Sequence, residues 1–367
     1  MKIRFWQNII SPHQVDVFEA LASMVDVEVS LVVQEKMTED RLNLGWNVPT
    51  LSNINVEQGI TDTKIETLLD EKKDIEIFTA PWGYPSLRQS FRKAIWREDA
   101  RVALMSEPGI WKGLSGMLRV GRGRVHSTIY GQRLSFILAI GDLAVTWFQK
   151  CQYPKNIIYP YAYTTSTVYE NKGYRESGVF KIIYVGQLSY RKGLDLLLFA
   201  LKKLGKEGWQ LRIVGDGPSR SYLQLISKIF GLEDCISFHG VINNEKVKSM
   251  IGESDLLVLP SRWDGWGAVV NEALHCGTPA VCSDSCGAKA IIEDSVNGRV
   301  FKTNNIDELS KTIEMFWESP CDETRRTLIQ KKSKKFSGKS VANYLVEIIE
   351  YSSNNELPRP IAPWKTI

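Results

Sequence analysis

Short apolar runs punctuate the chain, each followed by a longer segment with helical spacing. In the first half the runs are Ile3–Trp6, Val27–Val33, Ile75–Phe78 and Val102–Met105. In the second they are Lys181–Val185, Gln210–Val214, Ile236–Phe238, Leu256–Leu259 and Pro279–Val281. The runs are continuous rather than alternating, as in strands covered on both faces. Strand–helix alternation of this kind predicts α/β layers with parallel sheets and right-handed crossovers. Val341–Tyr351 reads as a last helix, whereas Pro358, Pro360 and Pro363 argue against one beyond it.

The polar, weakly periodic stretch Tyr161–Gly178 predicts a linker, with a new strand starting just after it. Three parts are therefore expected. Residues 1–165 form one Rossmann-like domain, 166–345 a second, and 346–367 a helix and tail that pack back towards the first. A chain of 367 residues is long enough for two such domains. Ligands of open α/β sheets sit beyond the carboxyl ends of the strands. Two domains facing each other across a cleft would hold two substrates there.

Composition narrows the partners. A formal charge of +4 is too mild to argue for nucleic acid. Its distribution is uneven: residues 1–76 carry 7 basic and 14 acidic side chains, residues 77–170 carry 12 basic and 5 acidic. Either a phosphate-bearing partner or a solvated basic face explains that contrast. The six cysteines show no zinc-ligand spacing, and free thiols in a reducing cytosol are expected. The first residues lack the apolar core of a signal peptide, and the longest apolar stretch, Leu134–Phe148, is broken by Gly141 and Asp142. The expectation is a cytoplasmic protein, at most peripheral on the inner face of the plasma membrane.

Two segments carry the chemistry. In the first, the run ending at Val185 meets Gly186, then a short polar loop, then Arg191 and Lys192 before a helical stretch. Two cations at a helix start are unfavourable by themselves. Either they are a solvated surface pair or they meet a diphosphate, which a guanidinium fork and a mobile ammonium suit well. In the second, Leu256–Leu259 ends at Pro260-Ser261, and a loop with Asp264, Gly265, Trp266, Gly267 and Ala268 follows. A helix is expected from near Gly267 to Gly277, with Glu272 about one and a half turns inside it and Pro279 beyond. The two carboxylates would then face one pocket at a helix N-terminus, where phosphate is favoured. Trp263 and Trp266 flank Asp264, as packing or as faces for a sugar ring. Gly215-Asp216-Gly217 follows the wrong strand for a dinucleotide fingerprint, and no D-x-D clamp for a metal follows a strand.

In this order the segments resemble the retaining glycosyltransferases of the GT-B class, above all glycosyltransferase family four. Its signature P-S-x-x-E-G-x-G-x-x-x-x-E-A-x-x-x-G-x-P is matched from Pro260 to Pro279, with Asp264 in place of the first glutamate and Glu272 as the second. Arg191 and Lys192 match its basic pair, Ile213–Pro218 its I-x-G-x-G-P loop, Phe238–Ile242 its F-x-G-x-V stretch, and Gly287–Gly298 its G-x-x-E-x-I…N-G turn. The resemblance spans residues 180–305 and is only topological over the first 160.

The resemblance implies transfer of a hexosyl unit from a nucleoside diphosphate sugar such as a UDP-sugar, with retention and without a metal or cofactor. It implies catalytic roles for Arg191, Lys192 and Asp264. Glu272 would take the ribose, with Gly186, Gly215, Val241, Gly265, Trp266, Gly267 and Ala268 lining the donor. A lipid-linked saccharide in bacterial O-antigen or capsule-like synthesis is the acceptor implied. The alternatives on the same fold are a non-hydrolysing sugar-nucleotide epimerase and a non-catalytic nucleotide-sugar binder.

On the acceptor side, His13 follows the first run and Glu107 the fourth, with His126 a third candidate; each is either a substrate contact or a cap or surface residue. Between Pro108 and Gly141 there is no acidic residue, while Lys112, Arg119, Arg122, Arg124 and Arg133 are interleaved with apolar side chains. Residues 108–133 therefore read as a segment meeting an anionic membrane surface, or as a mobile loop over the cleft.

Overall fold

The computed structural model describes residues 1–35, 50–52, 54–59, 61–165, 178–205 and 207–366. Most of the linker expected at 161–178 lies outside them. The described residues fall into two compact units, one from the residues up to 165 together with 336–366, the other from 178–335. The return to the first unit thus comes at Phe336 rather than at 346.

The first unit holds a parallel seven-stranded sheet in the order β3-β2-β1-β4-β5-β6-β7. Its strands are β1 (Lys2–Gln7), β2 (Glu28–Val33), β3 (Asn55–Gln58), β4 (Ile75–Thr79), β5 (Val102–Ser106), β6 (Leu134–Ile140) and β7 (Ile158–Tyr161). Helices α1 (Val15–Ala22), α2 (Asp62–Asp70), α3 (Pro85–Ile95), α4 (Gly113–Tyr130) and α5 (Gly141–Lys150) connect them. Three strands here escape a search for apolar runs. β3 is a polar edge strand with no fully buried residue. β7 carries Pro160, which an edge strand tolerates because one of its sides has no ladder to complete. β6 runs straight into α5, so the two share the apolar stretch Leu134–Phe148, broken only at Gly141 and Asp142. The two are joined at Gly141, whose φ of 75° turns the chain from strand to helix.

The second unit repeats the plan with six parallel strands in the order β10-β9-β8-β11-β12-β13. They are β8 (Phe180–Val185), β9 (Trp209–Val214), β10 (Ile236–Gly240), β11 (Leu256–Leu259), β12 (Ala280–Ser283) and β13 (Gly298–Phe301). Helices α6 (Leu194–Leu204), α7 (Arg220–Ile229), α8 (Asn244–Gly252), α9 (Val269–His275), α10 (Ile306–Glu318) and α11 (Glu323–Ser333) complete it. β11 and β12 are buried along their whole length, and each such aliphatic side chain stabilises the unit by about 1.5–3 kcal/mol. Both sheets reverse their strand order beside the first strand of the unit, between β1 and β4 and between β8 and β11. Crevices for ligands form at such reversals, beyond the carboxyl ends of the strands.

The last helix, α12 (Gly338–Tyr351), packs on α1. Ser337 caps it, its hydroxyl accepting from the Ser340 amide. Gly338 lies so close to Asp16 that a Cβ would sit 2.5 Å from its backbone oxygen. The proline-containing tail beyond is pinned to the same unit: Arg359 donates to the Ile158 carbonyl at 3.0 Å, and Lys365 pairs with Asp142 at 2.8 Å.

Candidate active site

The site grows from the loops that leave β8 and β11, the neighbouring strands at the reversal of the second sheet. After β8 the chain turns at Gly186, and Tyr190–Lys192 form one tight 3-10 turn before α6. Gly193 joins turn and helix with a φ of 69°, and a Cβ there would lie 2.1 Å from the Pro260 carbonyl. Only glycine both adopts that backbone and lets the turn press against the loop after β11. Arg191 and Lys192 therefore stand on the turn, one residue short of the helix.

The two loops are stitched together by main chain and by a second arginine. Arg262 donates its amide to the Arg191 carbonyl at 2.8 Å. Its guanidinium makes a forked pair with Asp195 at 2.7 and 2.6 Å, donates to the Tyr190 carbonyl, and lies 3.9 Å from the Tyr190 ring centroid. Arg191 in turn donates to the Trp263 carbonyl at 2.9 Å. So fixed, Lys192 places its ammonium 2.5 Å from Asp264, and Arg191 stands 3.9 Å from the other carboxylate oxygen. Lys192 and Asp264 are largely withdrawn from water, where an ion pair is both stronger and dearer to break than at a surface.

Asp264 is itself held by its backbone. It donates its amide to the Ser285 carbonyl and accepts from the Gly287 amide, both at 3.0 Å, forming an isolated bridge with Cys286. Gly287 permits the neighbouring approach of Gly265, whose carbonyl would lie 2.0 Å from an added Cβ. At Gly267, with a φ of 95°, a Cβ would meet Cys286 Sγ at 2.7 Å and Leu259 at 2.8 Å. These constraints delay the helix. α9 begins at Val269, after Ala268, so Glu272 lies in its first turn rather than one and a half turns inside. Gly277, with a φ of 74°, follows its end.

Glu272 keeps part of its surface open, yet the protein massed around its carboxyl pushes the pKa up to about 7, against the pull of Lys248 on α8. Nothing among the described residues hydrogen-bonds that carboxyl. Asp264 is thus brought together with Arg191 and Lys192, while Glu272 feels Lys248. Trp266 is buried at 2% exposure and donates its indole N–H to Asn271 at 2.8 Å. Its ring is a packing element, which leaves only its backbone for a donor and withdraws the suggestion that it stacks on a sugar.

The remaining positions expected to line the donor follow β9 and β10 of the same sheet. Gly215 has a φ of 124°, and a Cβ on it would sit 2.1 Å from the Gly186 carbonyl. Gly215 donates to the Gly240 carbonyl at 2.8 Å, which places half-exposed Val241 in the next loop. Asp216 accepts from the Gly217 amide and from Arg220, both at 2.7 Å, and those bonds hold its carboxyl below the usual range.

In the first unit His13 follows β1 and Glu107 follows β5, both at the carboxyl edge of that sheet. The His13 carbonyl accepts from the Thr164 amide at 2.9 Å, and its ring lies 5.9 Å from that of Tyr163. Buried Gln14, which sequence reasoning passed over, reaches from the turn after β1 to the Met105 sulfur at 3.0 Å and so ties the two strand ends together. His126 belongs elsewhere: it lies on α4, stacked 3.9 Å from Trp82, with its pKa lowered by burial and by Arg122, Arg88 and Arg92.

Residues 168–335 match the family model described as glycosyl transferases group 1. The match falls on the second unit. Arg191, Lys192, Asp264 and Glu272 all lie within it. Among curated relatives, the alpha-D-kanosaminyltransferase of Streptomyces kanamyceticus is 32% identical over 141 residues, 38% of this chain and 36% of that protein. The chain thus aligns with only about a third of that relative's length. Solved structures extend the likeness to the whole fold. The apo lipopolysaccharide outer core galactosyltransferase WaaB superposes with a TM-score of 0.72 at 17% identity, covering 97% of this chain and all (100%) of that one. Anabaena Alr3699/HepE in complex with UDP gives 0.71 at 17% identity, covering 95% and 100%. The fold is GT-B, and the match to the group 1 model falls on residues 168–335 of it.

Arg262 and Asp195, which lock the second unit's two site loops together, were not singled out from the sequence. Arg262 sits inside the signature at one of its variable positions, and only its three-dimensional pairing marks it.

Proposed function

We propose that the chain is a retaining hexosyltransferase that draws its sugar from a nucleoside diphosphate donor bound by the second unit. The observation that carries this reading is the pairing of Lys192 with Asp264 between the loops after β8 and β11, with Arg191 beside it. A fork of donors and a mobile ammonium at the edge where parallel sheets bind ligands match a diphosphate. HepE is a fold neighbour solved with UDP, which makes UDP the first nucleotide to try.

In this reading the acceptor hydroxyl attacks the anomeric carbon from the face the phosphate leaves. The bond from C1 to the β-phosphate oxygen breaks, the new glycosidic bond forms on the same side, and the acceptor proton passes to the departing phosphate. Arg191 and Lys192 hold the charge that builds on the diphosphate, so no metal cation is required. Asp264 keeps Lys192 in position until the donor arrives and then lies beside the sugar. Glu272 accepts from the ribose hydroxyls. His13 and Glu107 meet the acceptor, a lipid-linked saccharide of a bacterial surface polysaccharide, on the cytoplasmic face of the membrane. The fold likeness to a lipopolysaccharide core transferase favours that class of acceptor.

A thermal-shift panel of UDP, GDP, ADP and their sugars tests the donor, since a ligand of the native state raises apparent stability by mass action. NMR of the product then reads the anomer. Stabilisation by one nucleoside diphosphate and an α-linked product from an α-donor support the proposal. No stabilisation by any of them, or an inverted product, removes it.

A further inference from the structure

Helix α4 is amphipathic in the wrong sense for a helix that only packs. Its inner face is made of Gly116, Gly123, Ser127 and Tyr130, all buried. Gly116 and Gly123 let it lie close, since a Cβ on either would stand 2.2 Å from Trp111 backbone or 2.3 Å from Cys151 Sγ. The opposite face carries Leu114, Leu118, Val125 and Ile129, at intervals of four, seven and four residues that place them in one stripe. Leu114 is 82% and Leu118 77% exposed. At 100° per residue, Arg119 and Arg122 flank the stripe on one side and Arg124 on the other. All three arginines are exposed, and none makes an ion pair among the described residues. No carboxylate occurs between Pro108 and Gly141.

We infer that α4 lies in the surface of an anionic lipid bilayer, with the leucine stripe at the acyl boundary and the arginines on lipid phosphates. Charge complementarity selects this occupant. A second copy seated on the same stripe would set arginines against arginines, whereas anionic headgroups meet both flanks. An eighteen-residue helix is about 27 Å long and rests in the plane of the surface. No helix among the described residues is long and apolar enough to cross a membrane. The inference uses no residue of the second unit and stands independently of the donor reading.

Vesicle co-sedimentation of the full chain tests it, comparing vesicles of phosphatidylglycerol mixed with phosphatidylcholine against phosphatidylcholine alone. Binding is expected to the anionic vesicles, to weaken with salt by roughly fivefold for each arginine screened from the headgroups, and to persist in free inorganic pyrophosphate. The exposed pair change Leu114→Asp with Leu118→Asp lowers partitioning by about 100-fold, with nucleotide-induced thermal shifts and circular dichroism unchanged. Gly121, whose Cβ position meets nothing within 4 Å, offers a gain. Gly121→Leu extends the stripe and tightens binding about tenfold. Equal binding to neutral vesicles, no loss in the double aspartate variant, or a dimer that dissociates on the same change without any vesicle binding overturns the inference.

Discussion

Lys192 and Asp264 lie 72 residues apart in the chain and 2.5 Å apart in space, on loops leaving neighbouring strands of one parallel sheet. An anionic ligand of Lys192 therefore competes with a carboxylate already in place, and the carboxylate keeps the ammonium from wandering meanwhile.

Removing that competitor separates affinity from turnover. Asp264→Ala leaves two cations facing each other without a counter-charge, and costs the unliganded protein on the order of 2–3 kcal/mol. A nucleoside diphosphate then replaces the missing charge, so its thermal shift is larger in the variant than in the wild type, while sugar transfer falls. A smaller shift in the variant contradicts a competitive role for Asp264.

With Glu272 at the ribose, as proposed, donor binding should depend on pH. Burial raises its pKa from 4.5 to about 7, and a carboxylate that accepts from ribose hydroxyls must first lose its proton. Nucleotide affinity should rise about tenfold per pH unit up to pH 7 and level off above, with Glu272→Gln weak and flat throughout. Stability moves the other way. The folded protein binds the extra proton between those values, so the stabilisation is complete below pH 4.5 and is lost as pH rises through 7. Relative to Glu272→Gln, the wild type should lose up to about 3 kcal/mol across that window. Isothermal titration and urea unfolding at several pH values check both slopes.

Gly193 is where the loop geometry is least forgiving. An alanine there combines a left-handed backbone with a Cβ 2.1 Å from the Pro260 carbonyl. Gly193→Ala should destabilise the second unit by about 3 kcal/mol and disturb Lys192 as the turn moves away from β11. An unchanged urea midpoint would show that the two loops are free to separate.

The first unit hides an ion pair within its sheet. Arg4 on β1 and Glu76 on β4, paired in register, are both buried, 3.2 Å apart, and Glu76 also accepts from the Trp6 indole at 2.6 Å. Burial pushes the Glu76 carboxyl up to about 7 in spite of Arg4. Arg4→Met removes one partner only and should cost about 3–5 kcal/mol in urea unfolding; a loss below about 1 kcal/mol, the range of a surface pair, contradicts the pairing.

Both parallel sheets were legible because their central strands are continuous apolar runs, and those runs need only hydrophobic burial to be recognised. β3 and β7 were not, because β3 has no fully buried residue and β7 is a run of four that contains Pro160. The basic pair and the carboxylate positions were legible as motif spacing. What spacing could not convey was contact. Whether Trp266 offers a face or fills a core depends on Asn271, five residues away, accepting its N–H. The start of α9 depends on Gly267 fitting under Cys286, a contact made between loops. The forked pair of Arg262 with Asp195 joins the loop after β11 to the first turn of α6, 67 residues away, a separation that no local pattern reports.

Donor cleavage by Arg191→Ala with Lys192→Ala, set against the wild type with the nucleotide sugar the thermal-shift panel selects, decides whether these two residues hold the leaving diphosphate. Loss of a charge-stabilising donor costs about 100-fold in rate, so kcat per folded molecule of the double variant should fall by at least about that factor, beyond the loss of stability that an unpaired Asp264 brings. Turnover at the wild-type rate would contradict the assignment of this pair, and with it the reading of the site as one that cleaves a diphosphate sugar.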